Sequence, residues 1–464
     1  MSIDLKKIKK IYFIGIKGVA MSGLAVICKQ RGLSVAGSDV ADKFITDEIL
    51  ELNGIKDIRD FSPTNFQDKP DLVVIGTSWG QENIEVKTVR ELNIPSITDS
   101  ELRGLLSLEK RTVAVTGVHG KTTTTALVAF LFDRAGLQPS FLIGTGLVPD
   151  LKSNSGWFAG RHFIVEGDEY AKSKEDKTPK FLDLSPAISI ITSLEWEHVD
   201  VFRDLAAMET YFVQLAEKTK DLIVACGDWP SVKKVIAGQK KKAVTYGLQI
   251  GNDFVAYDIR PEFTKTVFKV RRGNDELGEF SIKLFGEHNV LDALAAMIVG
   301  LNEGIELGAI RKILSEFVGT KRRFEVLEKN GLIFVDDYAH HPTEIKTTLK
   351  AIRSRYPDKM IYCVFQPHTV SRTKALLNDF VRSFSDVDKV LFVDIFASAR
   401  EQGSDFTSKD LAEATQKNHP EAQYCGSIEQ TYEFLKDKLN PGDVLVTMGA
   451  GDVYQVRDKL LNNQ

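Results

Sequence analysis

Short, nearly continuous apolar runs alternate along this chain with longer stretches in which apolar residues return every three or four positions. The first kind predicts buried strands and the second predicts the helices that cover them. Between residues 1 and 107 the runs IYFIGI, SVAGSD and DLVVIG alternate with helical stretches, the signature of a doubly wound parallel sheet. From 108 to 318, TVAVT, HFIVEGDEY and ISIITSLEWEHVD read as strands. A β-rich stretch occupies roughly 243 to 284, and Gly286-Glu287-His288-Asn289 then opens a helix, VLDALAAMIVGLNEG. Residues 319 to 464 return to the strand and helix rhythm with IFVDDY, MIYCVFQ, KVLFVDIF and DVLVTMGAG. The pattern predicts an α/β protein of three domains, 1–107, 108–318 and 319–464. The first and last are Rossmann-like, and the middle one carries additional β-structure. No internal repeat or low-complexity linker separates them.

The junction after TVAVT carries the most chemistry. Thr116-Gly117-Val118-His119-Gly120-Lys121-Thr122-Thr123-Thr124-Thr125 lies between a predicted strand and a predicted helix, so its backbone N–H groups gather at a helix N-terminus, where phosphate binds well. Gly117, His119, Gly120, Lys121, Thr122 and Thr123 are expected around ATP. Lys121 is the point charge for the terminal phosphates and Thr122 a ligand of Mg2+. The spacing G-x-x-x-x-G-K-[ST] is not met, because Gly117 stands three residues before Gly120 and not five. The middle block is nevertheless expected to be a P-loop-type ATPase domain. In a parallel sheet the residues just past strand C-termini face the ligand crevice, so Glu166, Asp168, Glu169, Glu195, Glu197 and His198 can converge on this loop. Glu166 and His198 suit a divalent metal that neutralises the phosphates. Glu197 reads as a solvent-facing loop charge.

The first domain's opening turn is Gly15-Ile16-Lys17-Gly18-Val19-Ala20-Met21-Ser22-Gly23. A dinucleotide fingerprint starting at Gly15 needs glycine at Lys17 and Ala20, which argues against NAD. The glycines still let backbone approach a diphosphate. Asp39, after the second strand, is placed to bond a ribose hydroxyl, or equally to cap a turn or helix.

Composition narrows the classes further. With 43% apolar residues the 464-residue chain can bury several cores. A formal net charge of −4 without a basic stripe excludes nucleic acid as the expected partner. Lys6, Lys7, Lys9, Lys10 and the run Lys240 to Lys242 read as solvated faces. Four scattered cysteines, no C-x-x-C pair and no secretory apolar region point to a reducing cytoplasm. No apolar run has the length of a membrane span, so no membrane insertion is expected. The expected assembly is a monomer or weak homodimer.

T-G-V-H-G-K-T-T-T-T, E-G-D-E-Y, E-W-E-H-V-D, G-E-H-N, G-T-K-R-R-F-E, V-D-D-Y-A-H-H-P-T-E and Q-P-H-T-V-S-R-T-K follow one another in an order that resembles the Mur ligases of peptidoglycan synthesis. The resemblance spans essentially the whole chain. It is strongest to the members that join L-alanine to UDP-N-acetylmuramate, through G-I-K-G-V-A-M-S-G-L-A, D-D-Y-A-H-H-P and Q-P-H-T-V-S-R-T-K-A-L. Three departures stand out: Lys17 where glycine is usual, Glu197 where Asp more often precedes the histidine, and Asp292 where a second asparagine is frequent. The segment D-E-Y-A-K-S-K-E-D-K-T-P-K-F is instead similar to murein peptide ligases, which attach a preformed tripeptide to the same sugar nucleotide. The third domain favours alanine.

The resemblance implies ATP-dependent ligation through an acyl phosphate on the lactyl carboxylate of UDP-N-acetylmuramate, attacked by the amine of L-alanine. Gly15, Gly18 and Ser22 would cradle the UDP diphosphate, with Asp39 on the uridine side. His288 and Asn289 would contact adenine, Asp337 the ATP ribose, Tyr338 the nucleotide and Arg323 the phosphates. His340 and Arg372 would face the amino acid and the reacting carboxyl, with Lys121 and His198 completing the catalytic set. Blander readings stand beside some of these: His341-Pro342 as the start of a helix with Thr343 and Glu344 as first-turn polarity, Arg322 and Arg323 as a solvated helix end, and His368 as a loop-orienting residue. A P-loop phosphotransferase or NTPase switch and a non-catalytic UDP-sugar sensor are the alternative functions. The first leaves the outer nucleotide-like crevices unexplained, and the second has no need of Lys121 or the metal pair. Because the ligand contacts are spread over three domains, the reacting atoms can meet only on closure, and the free protein is expected often to be open, with His340 and Arg372 far from Lys121.

Overall fold

A computed structural model describes residues 3–462 apart from 174–175, 199–200, 263 and 397–405. Lys174, Glu175, Val199 and Asp200, which stand inside two of the motifs above, lie outside the described residues. The first sheet is built from β1 (Lys10–Ile14), β2 (Ser34–Ser38), β3 (Asp57–Ile58), β4 (Leu72–Ile75) and β5 (Ser96–Thr98), in the order β3-β2-β1-β4-β5. Its pairings are parallel. Ile11 to Ile14 of β1 are all buried, because helices cover both faces of a parallel sheet and leave no side for polar residues.

The central sheet has ten strands. Its parallel part is formed by β6 (Arg111–Thr116), β7 (Ser140–Leu142), β9 (His162–Glu166), β10 (Ile188–Ile191), β11 (Leu222–Cys226) and β12 (Lys242–Gly247). The short β8 (Ser155–Gly156) runs antiparallel at one edge. The β-rich stretch seen in the sequence extends the other edge as β13 (Phe254–Pro261), β14 (Thr266–Arg272) and β15 (Asp275–Ile282), an antiparallel meander that needs only short turns. The third sheet, in the order β16-β17-β21-β18-β19-β20, comprises β16 (Glu325–Lys329), β17 (Leu332–Asp337), β18 (Ile361–Phe365), β19 (Lys389–Val393), β20 (Ala422–Gly426) and β21 (Val444–Met448). Only β16 is antiparallel to its neighbour. No helix among the described residues is long and apolar enough to cross a membrane.

The three domains are joined in two different ways. One continuous apolar cluster contains Phe13, Ile16 and Leu24 of the first domain together with Leu142, Phe163, Phe181 and Phe212 of the central one. Gly23, on the helix Val19–Gln30, permits that approach: a Cβ there would lie 2.4 Å from Leu142 Cδ1. The third domain instead has its own clusters on the two faces of its sheet, around Val335, Phe365 and Phe392 and around Phe334, Val364 and Leu445. Of the central domain's described residues, only Phe285 joins the buried residues of these two clusters.

Candidate active site

The phosphate loop leaves β6 at Thr116 and enters the helix Lys121–Arg134. Gly117 and Gly120 have φ of 127° and 78°, which favour glycine, and a Cβ on either would meet neighbouring atoms at 2.2 Å (Thr192 Oγ1) and 2.5 Å (Asp292 Oδ1). The strand end after β10 holds the loop in place. The His119 N–H donates to Ser193 Oγ at 2.7 Å and the Thr192 hydroxyl to Thr116 O at 3.0 Å. Thr123 is buried, and Thr124 donates to Asp292 Oδ1 at 2.8 Å.

Lys121 folds back over the loop. Its ammonium donates to Gly117 O at 2.7 Å, Val118 O at 3.1 Å and Glu169 Oε1 at 3.0 Å. Burial alone would lower its pKa; Glu169, Glu166 and Glu197 raise it, so it stays charged. A phosphate arriving here finds a held cation in a carboxylate-rich pocket, which calls for further positive charge to accompany the nucleotide.

The oxygen donors needed for a hard cation are present. The Thr122 hydroxyl donates to Glu166 Oε1 at 3.1 Å, which sets side by side two oxygen donors of the kind a hard cation takes. The Gly144 N–H holds the other Glu166 oxygen at 2.8 Å. His198, at a φ of 51°, turns its Nε2 to Glu169 Oε1 at 3.0 Å, and Glu169, Glu197 and His198 bring their donor atoms within 4.8 Å of one another. The structure thus places Glu166 with Thr122 and His198 with Glu169 and Glu197; Glu166 does not belong to the second group. Glu197 is 4% exposed, which corrects its reading as a solvent-facing charge. It is buried because it binds a cation from another domain.

That cation comes from the third domain, with a neutral imidazole beside it. Arg372 Nη2 donates to Glu197 Oε1 at 3.0 Å, and His340 Nε2 lies 3.7 Å from the same oxygen. Burial holds the His340 imidazole down to about 3, with Arg372 adding to the effect. Glu197 is pulled well below the carboxylate range: its own burial opposes this, but His198, Arg372 and His340 outweigh it. A second contact pairs His119 with Glu195 and, through Nδ1 at 3.1 Å, with Glu344. Thr343 Oγ1 donates to Glu195 Oε2 at 3.2 Å. These carboxylates raise His119 to about 10 against its burial. In place of the wide separation expected of an open free protein, the structure shows the third domain docked, with Arg372 linked to Lys121 through Glu197, His198 and Glu169.

Other expectations separate cleanly. His341 is the N-cap of the helix Pro342–Arg355, with Pro342 in its first turn and Glu344 completing a capping box, so the helix-start reading holds. Glu344 also reaches across to His119, a role its position in a first turn did not disclose. Arg322 is no solvated helix end: it is buried, donating to Asp336, Gly449 O and Gly451 O. Arg323 stacks over Tyr338 at 5.0 Å. Asp337 accepts from the N–H groups of Phe324 and Ala339, both at 2.8 Å, and burial raises it to about 6. His288, lowered to about 4 by burial, and Asn289 lie side by side at the start of the helix Glu287–Asn302, their side chains 3.0 Å apart.

In the first domain Gly15 has a φ of 85° under the Trp79 ring, whose Nε1 would be 2.4 Å from a Cβ. Trp79 escaped the sequence reading because nothing near it repeats a motif. Gly18 caps the helix Val19–Gln30, and Ser22 is buried and donates to Val19 O at 3.0 Å. Asp39 accepts from the Lys17 and Val40 N–H groups at 2.7 and 2.9 Å, tying the two loops together.

Comparison with known proteins gives the arrangement a family. Models of three Mur ligase domains match in succession: the Mur ligase family catalytic domain at residues 10–111, the Mur ligase middle domain at 115–300 and the Mur ligase glutamate ligase domain at 322–451. A UDP-N-acetylmuramate--L-alanine ligase of Desulfitobacterium hafniense is 38% identical over 456 residues, 97% of this chain and 99% of the relative. Among solved structures, the UDP-N-acetylmuramate-alanine ligase MurC of Thermotoga maritima aligns with a TM-score of 0.83 at 24% identity, over 98% of both chains. A murein peptide ligase of Psychrobacter arcticus gives 0.75 at 24% identity with the same coverage. These two structures establish the shared fold, and the full-length sequence match carries the kinship: the chain belongs to the Mur ligase family.

Proposed function

We propose that this protein is an ADP-forming ligase that joins L-alanine to the lactyl carboxylate of UDP-N-acetylmuramate at the expense of ATP, in peptidoglycan precursor synthesis. The observation that carries this reading is the full-length, 38% identity to a relative named for that activity. We further propose boundaries at 1–107, 108–318 and 319–464, a cytoplasmic location, and a monomer or weak homodimer.

A carboxylate is a poor acylating agent because its leaving group would be oxide. Transfer of the γ-phosphoryl group of ATP makes it an acyl phosphate, the alanine amine attacks, and phosphate leaves. Charge grows first on transferring phosphoryl oxygens and then on a tetrahedral carbon, so fixed cations and N–H groups do most of the work. In this reading Lys121 and the N–H groups after Gly117 hold the terminal phosphates. Thr122 and Glu166 would hold one Mg2+, and His198, with Glu169 and Glu197 beside it, would supply donors for a second. Bound there, Mg2+ would neutralise phosphate charge. Arg372 and His340 orient the reacting carboxyl and the amino acid from the third domain; Arg323, Asp337, Tyr338, His288 and Asn289 hold the nucleotide. Gly15, Gly18, Ser22 and Asp39 line the UDP side. Docking of the third domain excludes the water that would hydrolyse the acyl phosphate.

The test is ADP release measured with each substrate omitted in turn. Release that requires UDP-N-acetylmuramate and L-alanine together supports the reading. Release without an amino acid indicates an NTPase switch, and none at all a sensor. Preference for a tripeptide over L-alanine, glycine and L-serine would move the assignment to tripeptide ligation.

A further inference from the structure

Lys17 is a lysine with no exposed surface, in the turn between β1 and the helix Val19–Gln30. Its ammonium donates to Val40 O at 3.0 Å and Asp42 O at 2.8 Å, and lies 3.3 Å from Asp57 Oδ2 and 3.8 Å from Asp47 Oδ1. The Phe44 ring covers it at 5.7 Å. Its main chain is engaged as well: the N–H donates to Asp39 Oδ2, and the carbonyl accepts from the Thr46 hydroxyl. Among the described contacts, each of these partners apart from Asp57 lies in the segment 39–47. That segment has no regular structure before the helix Asp47–Leu52, so without Lys17 its carbonyls would have to find water.

The other face of the segment looks outward. Phe44 and Ile45 are 39% and 37% exposed. Ile45 O would lie 3.0 Å from a Cβ on Gly146 of the central domain, and Glu48 pairs with Lys321, ahead of the third sheet, at 3.2 Å. The segment 39–48 is thus bound to Lys17 on its inner side and meets both other domains on its outer side, through Ile45 and Glu48. Asp39 at its start stands on the proposed uridine side.

We propose that Lys17 is a positioning residue for the sugar nucleotide: it staples residues 39–48 into the wall of the UDP site against which the other two domains close. The inference rests on the assignment of UDP-N-acetylmuramate to the first domain. A lysine that only stabilised the fold would, when replaced, lower the amount of active enzyme and leave the remaining enzyme's affinities alone. A staple instead changes one affinity.

The experiment is calorimetry with the full-length protein, titrating UDP-N-acetylmuramate and, separately, a non-hydrolysable ATP analogue, with steady-state kinetics alongside. For Lys17→Met the Kd and KM for UDP-N-acetylmuramate should rise about tenfold or more, the scale of lost hydrogen bonds from a charged donor. The ATP-analogue Kd and the kcat at saturating sugar nucleotide should stay within about twofold. An unchanged Kd for UDP-N-acetylmuramate overturns the proposal, as does a fall in kcat with KM unchanged. If Lys17→Met does not fold, Asp57→Asn takes its place, because that side chain is 18% exposed and one partner is lost. It should raise the same KM about threefold, and no rise overturns the staple. Failure of the parent protein to bind UDP-N-acetylmuramate is a different result: it overturns the ligand assignment first and the staple with it.

Discussion

In the first domain Lys17 turns inward and spends its ammonium on backbone carbonyls and carboxylates of its own domain; in the central domain Lys121 lies over its loop and faces Glu169. Both lysines follow a strand, a glycine and a parallel-sheet turn, and each precedes or opens a helix. The difference lies in what surrounds the charge. Around Lys121, Glu166, Glu169 and Glu197 come from two other strand ends and one of them binds the third domain, so the charge sits near the contact between the central and third domains. Around Lys17 the partners are one segment and its neighbour. A lysine in a glycine loop is therefore a reagent or a rivet according to whether its partners are carboxylates at separate strand ends or the carbonyls and carboxylates of one segment and its neighbour.

The sharpest way to break that contrast is Lys121→Ala. It should abolish ADP formation, a loss of at least about a thousandfold, while UDP-N-acetylmuramate still binds calorimetrically. Equal loss of both ligands would put the sugar nucleotide in the central domain and dissolve the distinction. Replacing Glu166 or His198 with Ala comes next. Each should cost at least about 2.7 kcal/mol of transition-state stabilisation, roughly a hundredfold in rate, with an unchanged circular dichroism spectrum. Activity within a few fold of the parent at ordinary Mg2+ would remove that residue from the metal site.

A smaller effect is expected at the carboxylate that joins the central site to the third domain. Glu197→Gln should weaken docking by about 1.5–3 kcal/mol, the range for a hydrogen bond to a charged group. Small-angle scattering of the free variant should show a larger radius of gyration than the parent, restored by an ATP analogue with UDP-N-acetylmuramate; equal radii would mean that other contacts hold the domain. The smallest effect concerns Asp292, buried behind Gly120 and raised to about 7 by that burial, with the Thr124 hydrogen bond opposing it. An acid whose pKa is higher folded than unfolded binds its proton more tightly in the native state, so its contribution to stability is lost as pH rises from about 4 to about 7. Asp292→Asn should therefore raise the melting temperature by a few degrees at pH 8 and leave it nearly unchanged at pH 4; an equal shift at both would assign the effect to packing.

What was legible in the sequence was what a local pattern encodes. The strand at Arg111–Thr116, the glycine loop after it and the helix at Lys121 follow from residues adjacent in the chain. The antiparallel meander was legible too, as a β-rich stretch. What stayed hidden was who meets whom. His119 and Glu344 are 225 residues apart, and no periodicity joins them. Lys17 stood out as a departure from the family pattern, but its burial depends on carbonyls at Val40 and Asp42, which every residue type carries and no sequence motif marks. Glu197 was misread because a charge is exposed by default, and only the arrival of Arg372 from another domain makes burying it tolerable.

The continuous apolar cluster that runs from Phe13 to Phe212 has a consequence for how the molecule comes apart. A chain severed near residue 107 would bare matched greasy faces on both pieces, whereas one severed near 318 would part mostly along charges that water accepts. Heat and proteases thus meet two cooperative blocks and not three: a fused pair of N-terminal domains, and a C-terminal domain that can melt or be clipped away on its own.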